Sequence, residues 1–156
     1  MRPRVLILFF ITLFSLTGAA QQDTRMYRNA VGGRIEFGFG SWVGVSWKHL
    51  YTRHHATEVA VLFGNLTRVY DLEYHFNGNF PNSPNLQWVL GVGAAYATYK
   101  YFDTPEDFFL RPIIGIDARL KGTAINMGFD WRPLLHVSGE ATTTRTRFSV
   151  PIRVTF

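Results

Sequence analysis

The sequence predicts an all-β fold: an eight-stranded antiparallel up-and-down transmembrane β-barrel with a polar, side-chain-filled lumen. Three observations predict it. Beyond residue 30 apolar residues alternate with polar or small ones, and no helical spacing of apolar positions is kept over three turns. Most Gly, Pro, Asn, Asp and Ser residues collect in short stretches between the alternating segments. The two faces so defined also differ in kind, one nearly free of charge and the other rich in both signs.

The first segment, residues 31–39, sets Ile35, Phe37 and Phe39 against Arg34 and Glu36. After the turn "GSW", residues 43–51 set Val45, Trp47 and Tyr51 against Ser46 and Lys48. The link "TRHHA" leads to 57–63, where Val59, Val61 and Phe63 alternate around Glu58. "FGNL" reads as a tight hairpin turn. Residues 66–76 then carry Tyr70, Leu72, Tyr74 and Phe76 opposite Asp71, Glu73 and His75. Past "NGNFPNSPN", residues 86–99 place Trp88, Leu90, Val92, Ala94 and Tyr96 opposite Gln87, Gly91 and Gly93. "FDTPED" joins this to 108–121, with Ile114, Ile116 and Ala118 opposite Arg111, Asp117 and Arg119. Residues 125–136 follow "GTA" and oppose Met127, Phe129 and Trp131 to Asn126, Asp130 and Arg132. After "VSGEATTTRT", residues 147–156 line up Phe148, Val150, Ile152, Val154 and Phe156 against Ser149, Pro151, Arg153 and Thr155. Eight segments leave about 17 residues per strand and link, the economy of an up-and-down barrel.

The domain organisation is simple. Residues 1–20 have the parts of a signal peptide: charges in "MRPR", the apolar run "VLILFFITLFSL" and small residues in "TGAA". The run is short against the roughly 20 residues of a membrane-spanning helix. Residues 21–30, "QQDTRMYRNA", show no period and read as a flexible lead, and 31–156 form one barrel domain. The chain has no cysteine, so no disulfide forms. Its formal charge of +5 falls when Arg2 and Arg4 leave with the leader, and no basic run or stripe remains to meet nucleic acid.

Alternation alone does not say which face is inside. The charged face combines Arg34, Lys48, Arg111, Arg119, Arg132 and Arg153 with Glu36, Glu58, Asp71, Glu73, Asp117 and Asp130, equal numbers of each sign. Glycines, whose lack of a side chain eases crowding, are interleaved with them. A water-facing surface is normally richer in lysine, whereas arginine, with its planar fork, suits buried ion networks. Eight strands enclose a space that side chains fill. Balanced charge therefore predicts a plugged, cross-linked lumen rather than an open pore, since isolated buried ions cost several kcal/mol. Aromatic residues should form two girdles, one with Tyr51, Tyr74, Phe76, Trp88 and Phe156, the other with Phe39, Phe63, Tyr70, Phe108 and Phe148.

With the leader, eight alternating segments and a last strand closing on Phe156, the chain resembles the small outer-membrane β-barrels of Gram-negative bacteria, the OmpX and OmpA-barrel type. The resemblance covers residues 31–156. It implies residence in the cell outer membrane, a monomer, contact with outer-membrane lipid and lipopolysaccharide, and no cofactor. It also implies that Ile152, Val154 and Phe156 act as the signal read by the barrel-assembly machinery. The same likeness places "TRHH", "NFPNSPN" and "KGTA" on the periplasmic side. Pro133 and Pro151 depart from the pattern, because each removes a ladder donor and predicts a bulge or a strand end.

Chemistry-bearing residues are few. In "LLHVSGE", His136 and Ser138 share one side of an extended segment and Glu140 could orient the imidazole, the grouping used in acyl transfer. It loosely resembles the His-x-Ser of barrel-shaped lipid A deacylases. His54 and His55 are neighbours on an extended chain and point to opposite faces, so no metal site is expected there. Gly91 and Gly93 lie inside a strand and open no helix, which excludes a phosphate cradle. His75 reads as a lumen hydrogen-bonder beside Glu73. The expectation is a non-enzymatic membrane barrel with an envelope-structural, surface-contact or small-scale binding role. A lipid A acyl hydrolase on the same fold is one alternative. A soluble lipocalin-like carrier, with an apolar interior, is the other.

Overall fold

A computed structural model of the chain describes residues 26–100, 106–139 and 141–156. The leader lies outside these residues, as do Gln21 to Arg25, residues 101–105 and Glu140. The described residues are all-β. The strands are β1 (Asn29–Gly38), β2 (Trp42–Leu50), β3 (His55–Phe63), β4 (Thr67–Phe80), β5 (Ser83–Tyr99), β6 (Asp107–Arg119), β7 (Ile125–Trp131), β8 (Leu135–Ser138) and β9 (Arg147–Thr155).

Each strand pairs antiparallel with the next in sequence from β1 to β7, and β9 pairs with both β7 and β1, which closes the sheet. The barrel has eight staves because β7 and β8 share one. Both lie on β6, with Ile114 opposite Trp131 and Leu110 opposite Leu135. Between them stand Arg132, Pro133 and Leu134, so the single strand expected over 125–136 is broken at the proline, which has no N–H to give to a ladder. Pro151 acts differently. It stays within β9 opposite Arg34, and the β7 ladder skips the positions facing it without changing register, so no bulge forms.

The turn chemistry is local. Gly40 and Gly122 have φ of 78° and 76°, the left-handed region that an L side chain resists. The stretch read as the long link "NGNFPNSPN" is mostly strand: β4 runs to Phe80, β5 starts at Ser83, and Asn82 makes the turn at φ 60°. Of the lead, residues 26–30 are described. β1 already begins at Asn29, and Met26 and Tyr27 are buried.

Period-2 geometry then fixes the two faces. Val45, Leu72 and Ile114 are 61%, 59% and 53% exposed, whereas Arg34, Glu36, Glu58 and Arg111 are 0% exposed. Polarity is thus inverted relative to a water-soluble core. Two small apolar clusters cap the charged middle of the lumen. One, Met26, Tyr27, Ala30, Leu50 and Ala56, lies at the end that holds both termini of the barrel. The other, Leu62, Val69, Ala95, Ala97, Phe109 and Leu134, lies at the far end.

Candidate functional site

The ion network fills the lumen between those caps. Arg34 is its hub: Nη2 meets Oε1 of Glu36 at 2.6 Å and also contacts Asp71, with Glu73 at 3.2 Å, and Nη1 reaches Glu58 at 3.4 Å. Arg111 bridges Glu36, at 2.8 Å, and Asp71. Arg132 grips both oxygens of Glu73 and donates to Asp130 at 2.9 Å. Arg153 joins Glu58 at 2.6 Å and Asn126 at 3.1 Å, and Lys48 joins Asp117 at 2.7 Å. Arg34 with Asp71, Arg111 with Glu36, Arg132 with Glu73, Arg153 with Glu58 and Lys48 with Asp117 join staves that are not neighbours in the sheet, so these pairs cross-brace the wall, while Arg34 with Glu36 and Arg132 with Asp130 lie on one stave. Planar guanidinium forks allow one arginine to serve two or three carboxylates, which a lysine ammonium does less well.

Most of the anticipated charged positions sit in this network, but Arg119 does not. Its face parity with Asp117 suggested a lumen partner, yet it lies at the strand end and donates to the carbonyls of Met26, at 2.9 Å, and Thr123, at 3.3 Å. Arg147 takes its place. Its Nε donates to Oε2 of Glu36 at 2.8 Å, Nη1 to the Phe39 carbonyl at 3.1 Å, and its guanidinium lies 3.2 Å over the Trp42 ring. The balance of charge survives the exchange. Asp130 and Arg132, two apart on one strand, bond each other, whereas Asp117 turns to Lys48, Asn126 and Tyr27.

Tyr27 and Arg147 escaped the sequence reading because no alternation precedes either of them: Tyr27 stands in the lead before β1, and Arg147 is the first residue of its segment. Asp107 was assigned to a link. It is buried, takes the Tyr99 hydroxyl, and accepts the Ala141 N–H at 3.0 Å.

His75 donates from Nε2 to Oε2 of Glu73, 3.0 Å away, as expected of a lumen hydrogen-bonder. Glu58, Glu73 and His75 bring their ligating atoms within 4.8 Å of one another. Arg34, Arg132 and Arg153 already neutralise both carboxylates, so the cluster is a hydrogen-bonded knot in the ion network.

The His-x-Ser stretch does not keep one regular register. His136 pairs with Phe109 and turns inward, where Nε2 stands 3.9 Å from Oδ1 of Asp107 and the ring meets Phe109 edge-on. A register shift then sets Ser138 opposite Phe108, and Ser138 is exposed. Glu140 lies outside the described residues. At the other end, His54 stacks on Phe76 and His55 contacts Tyr74, so both imidazoles are engaged with aromatic neighbours.

The outward rings group at the two ends. Phe76 lies 5.7 Å from Trp88 near the termini, while Tyr70, Tyr96 and Phe108 run together at the far end with centroids 6.3 and 6.2 Å apart. Ile152 and Val154 face outward on β9, and Phe156, the residue after it, is exposed as well.

The architecture defines an eight-stranded closed antiparallel β-barrel with an ion-filled lumen. The sequence matches no protein-family model and no curated protein, so geometry alone carries the functional argument.

Proposed function

We propose that the chain is an integral outer-membrane β-barrel protein, monomeric and non-enzymatic, with an envelope-structural, surface-contact or small-scale binding role. One observation carries this reading: the barrel buries its charges and exposes its apolar residues. Outward positions on every stave, among them Val45, Val59, Leu72, Val92, Ile114, Phe129 and Ile152, leave large side chains open. Monomeric water-soluble proteins rarely expose contiguous apolar patches beyond a few hundred Å². In lipid the same belt is the favourable surface, and closure of β9 onto β1 and β7 leaves, among the described residues, only the short β8 with an edge outside a ladder. The aromatic groups at the two ends fit interfacial girdles. Lipid and lipopolysaccharide are then the surrounding partners, and the outward row ending at Phe156 would serve as the assembly signal.

A lipocalin-like carrier needs an apolar interior, and here the middle of the lumen is charge. The hydrolase alternative needs Ser138 beside His136, and the register shift between them together with the exposure of Ser138 speaks against that pairing.

The test is a heat-modifiability assay. The full precursor is expressed, the outer-membrane fraction isolated, and the protein run in SDS with and without boiling. A species in that fraction that shifts only after heating is the expected result. Recovery in the soluble fraction would overturn the membrane reading. An unaltered lipid A acyl pattern on Ser138→Ala is expected of a non-enzyme, and an altered one would revive the hydrolase.

A further inference from the structure

At the far end the ion network stops at Arg147 and the lumen widens into a cup of about 690 Å³, within the roughly 300–1,000 Å³ range of small-molecule sites. Its walls include Phe39, Trp42, Tyr99, Phe109 and Leu134, and Arg147 lies at its margin. Beneath is the apolar cluster built on Leu62, Val69 and Phe109. The cup is therefore apolar with one cation at its edge. That cation is incompletely used: Nε is taken by Glu36 and Nη1 by the Phe39 carbonyl, while the buried Nη2 has no hydrogen-bond partner. A buried charged donor without an acceptor is a costly arrangement, and an acceptor entering the cup would relieve it.

The wall beside the cup is also discontinuous. The β7 ladder to β9 ends at Trp131 and Phe148. β8 then pairs with β6, and among the described residues the chain beyond Trp131 is tied back toward β9 and the segment before it by separate bonds rather than a continuous ladder: the Arg132 N–H to the Arg147 carbonyl, the Leu134 and Thr144 bridge, and the His136 N–H to Oγ1 of Thr143. Pro133, with no N–H, stands at the break. A chain-like ligand thus has a flank of the cup that is not sealed by a strand ladder.

We infer that the far-end cup binds a medium-chain carboxylate amphiphile, its head on Nη2 of Arg147 and its apolar chain against Trp42, Phe109 and Leu134. A carboxylate suits the site better than a phosphate. Only one guanidinium nitrogen is free, and the neighbouring carboxylate of Glu36 disfavours a dianion. The inference does not depend on the solvent around the barrel, because cup and cation lie inside it.

The test uses decanoate and decan-1-ol, equal in chain and different in head, on the ¹⁵N-labelled protein in phospholipid nanodiscs, or in buffer should the protein prove soluble. The Trp42 indole N–H is followed by NMR. Decanoate is expected to shift it saturably, and decan-1-ol to bind at least tenfold more weakly. Arg147→Gln should weaken decanoate at least tenfold. Because that change touches the ion network, Ala97→Phe supplies a second variant: it fills the cup from a wall position and leaves the ions in place. Loss of the shift in Ala97→Phe, with the rest of the spectrum kept, supports the site. No saturable shift in the parent protein, equal binding of the alcohol, or decanoate binding undiminished in a folded Ala97→Phe would each overturn it.

Discussion

Tyr27 donates its hydroxyl to Oδ2 of Asp117 across 2.6 Å, joining residues 90 positions apart and sealing the lumen at the end where the barrel's termini meet. The bond ties the segment before β1 to the last turn of the pleat in β6, two residues from its end at Arg119. Burial first, and the adjoining Asp117 carboxylate second, push the Tyr27 phenol well above its ordinary value. Tyr27→Phe should cost about 1.5–3 kcal/mol, the range for a hydrogen bond to a charged partner. The sign of the pH dependence follows. A phenol whose folded value is raised contributes stability that is fully present below its unfolded value, near 10, and lost as pH rises through the folded one. Urea unfolding followed by tryptophan fluorescence should show a parent-minus-variant difference that is flat from pH 7 to about 10 and shrinks only above it.

Arg132 tests the lumen network. It serves Glu73 through both oxygens and Asp130 at 2.9 Å, all of them buried. Arg132→Ala leaves two carboxylates short of a partner and should cost about 3–5 kcal/mol. Adding Glu73→Gln should recover part of that loss, since residues in one ion network couple. The measurement is a double-mutant cycle on unfolding midpoints in detergent. Strictly additive losses would mean that the pair does not interact.

Two glycines test the packing of the wall. A methyl at Gly115 would meet Oδ1 of Asp130 at 2.1 Å and the Phe129 carbonyl at 2.6 Å, and backbone cannot move aside cheaply. At Gly33 its nearest neighbour is the Gly44 carbonyl at 3.9 Å. Gly115→Ala should therefore destabilise by about 1–3 kcal/mol, and Gly33→Ala by under about 0.5 kcal/mol. Thermal unfolding of the two variants side by side decides it, and equal losses would count against the described wall.

How much of this was legible in the sequence depends on how many alternations a residue sits among. Arg34, Glu73 and Asp130 lie inside long period-2 runs, and a strand period of two assigns their face without reference to the rest of the fold. Arg119 follows the same parity, but at a strand end the wall no longer confines its side chain. Arg147 begins its segment and Tyr27 lies in the lead before β1, so neither has a preceding alternation to place it. Partners were harder still: that Arg34 meets Asp71, or Arg153 meets Glu58, depends on which staves face across the lumen, which pairing order and stagger decide and local pattern does not. The break between β7 and β8 was signalled by Pro133. The split of His136 from Ser138 was not, because it comes from a register shift opposite Phe108 and Phe109. In "LLHVSGE" residues two apart look like neighbours on one face until that shift sends them apart.

The membrane reading makes a prediction that water and lipid answer differently. Leu72 stands midway along β4, between Val59 and Ala94, and is 59% exposed on the outer face. Phe39 lies in the turn after β1 and is 82% exposed. In a bilayer Leu72→Arg puts a charge near the hydrocarbon midplane and should cost about 2–4 kcal/mol, while Phe39→Arg at the rim should cost about 0–1 kcal/mol. In water neither change buries a charge, and both should fall within about 0.5 kcal/mol of the parent. Reversible folding into phospholipid vesicles, with denaturant titration of each variant, measures the difference. A gap of 2 kcal/mol or more between Leu72→Arg and Phe39→Arg is the depth dependence that only lipid imposes. Equal, small effects would mean that the apolar belt meets something other than a membrane. A direct clash at Leu72 is separated from the cost of depth by Leu72→Gln. This uncharged side chain of similar length should lose distinctly less than arginine if depth in lipid, rather than packing, sets the cost.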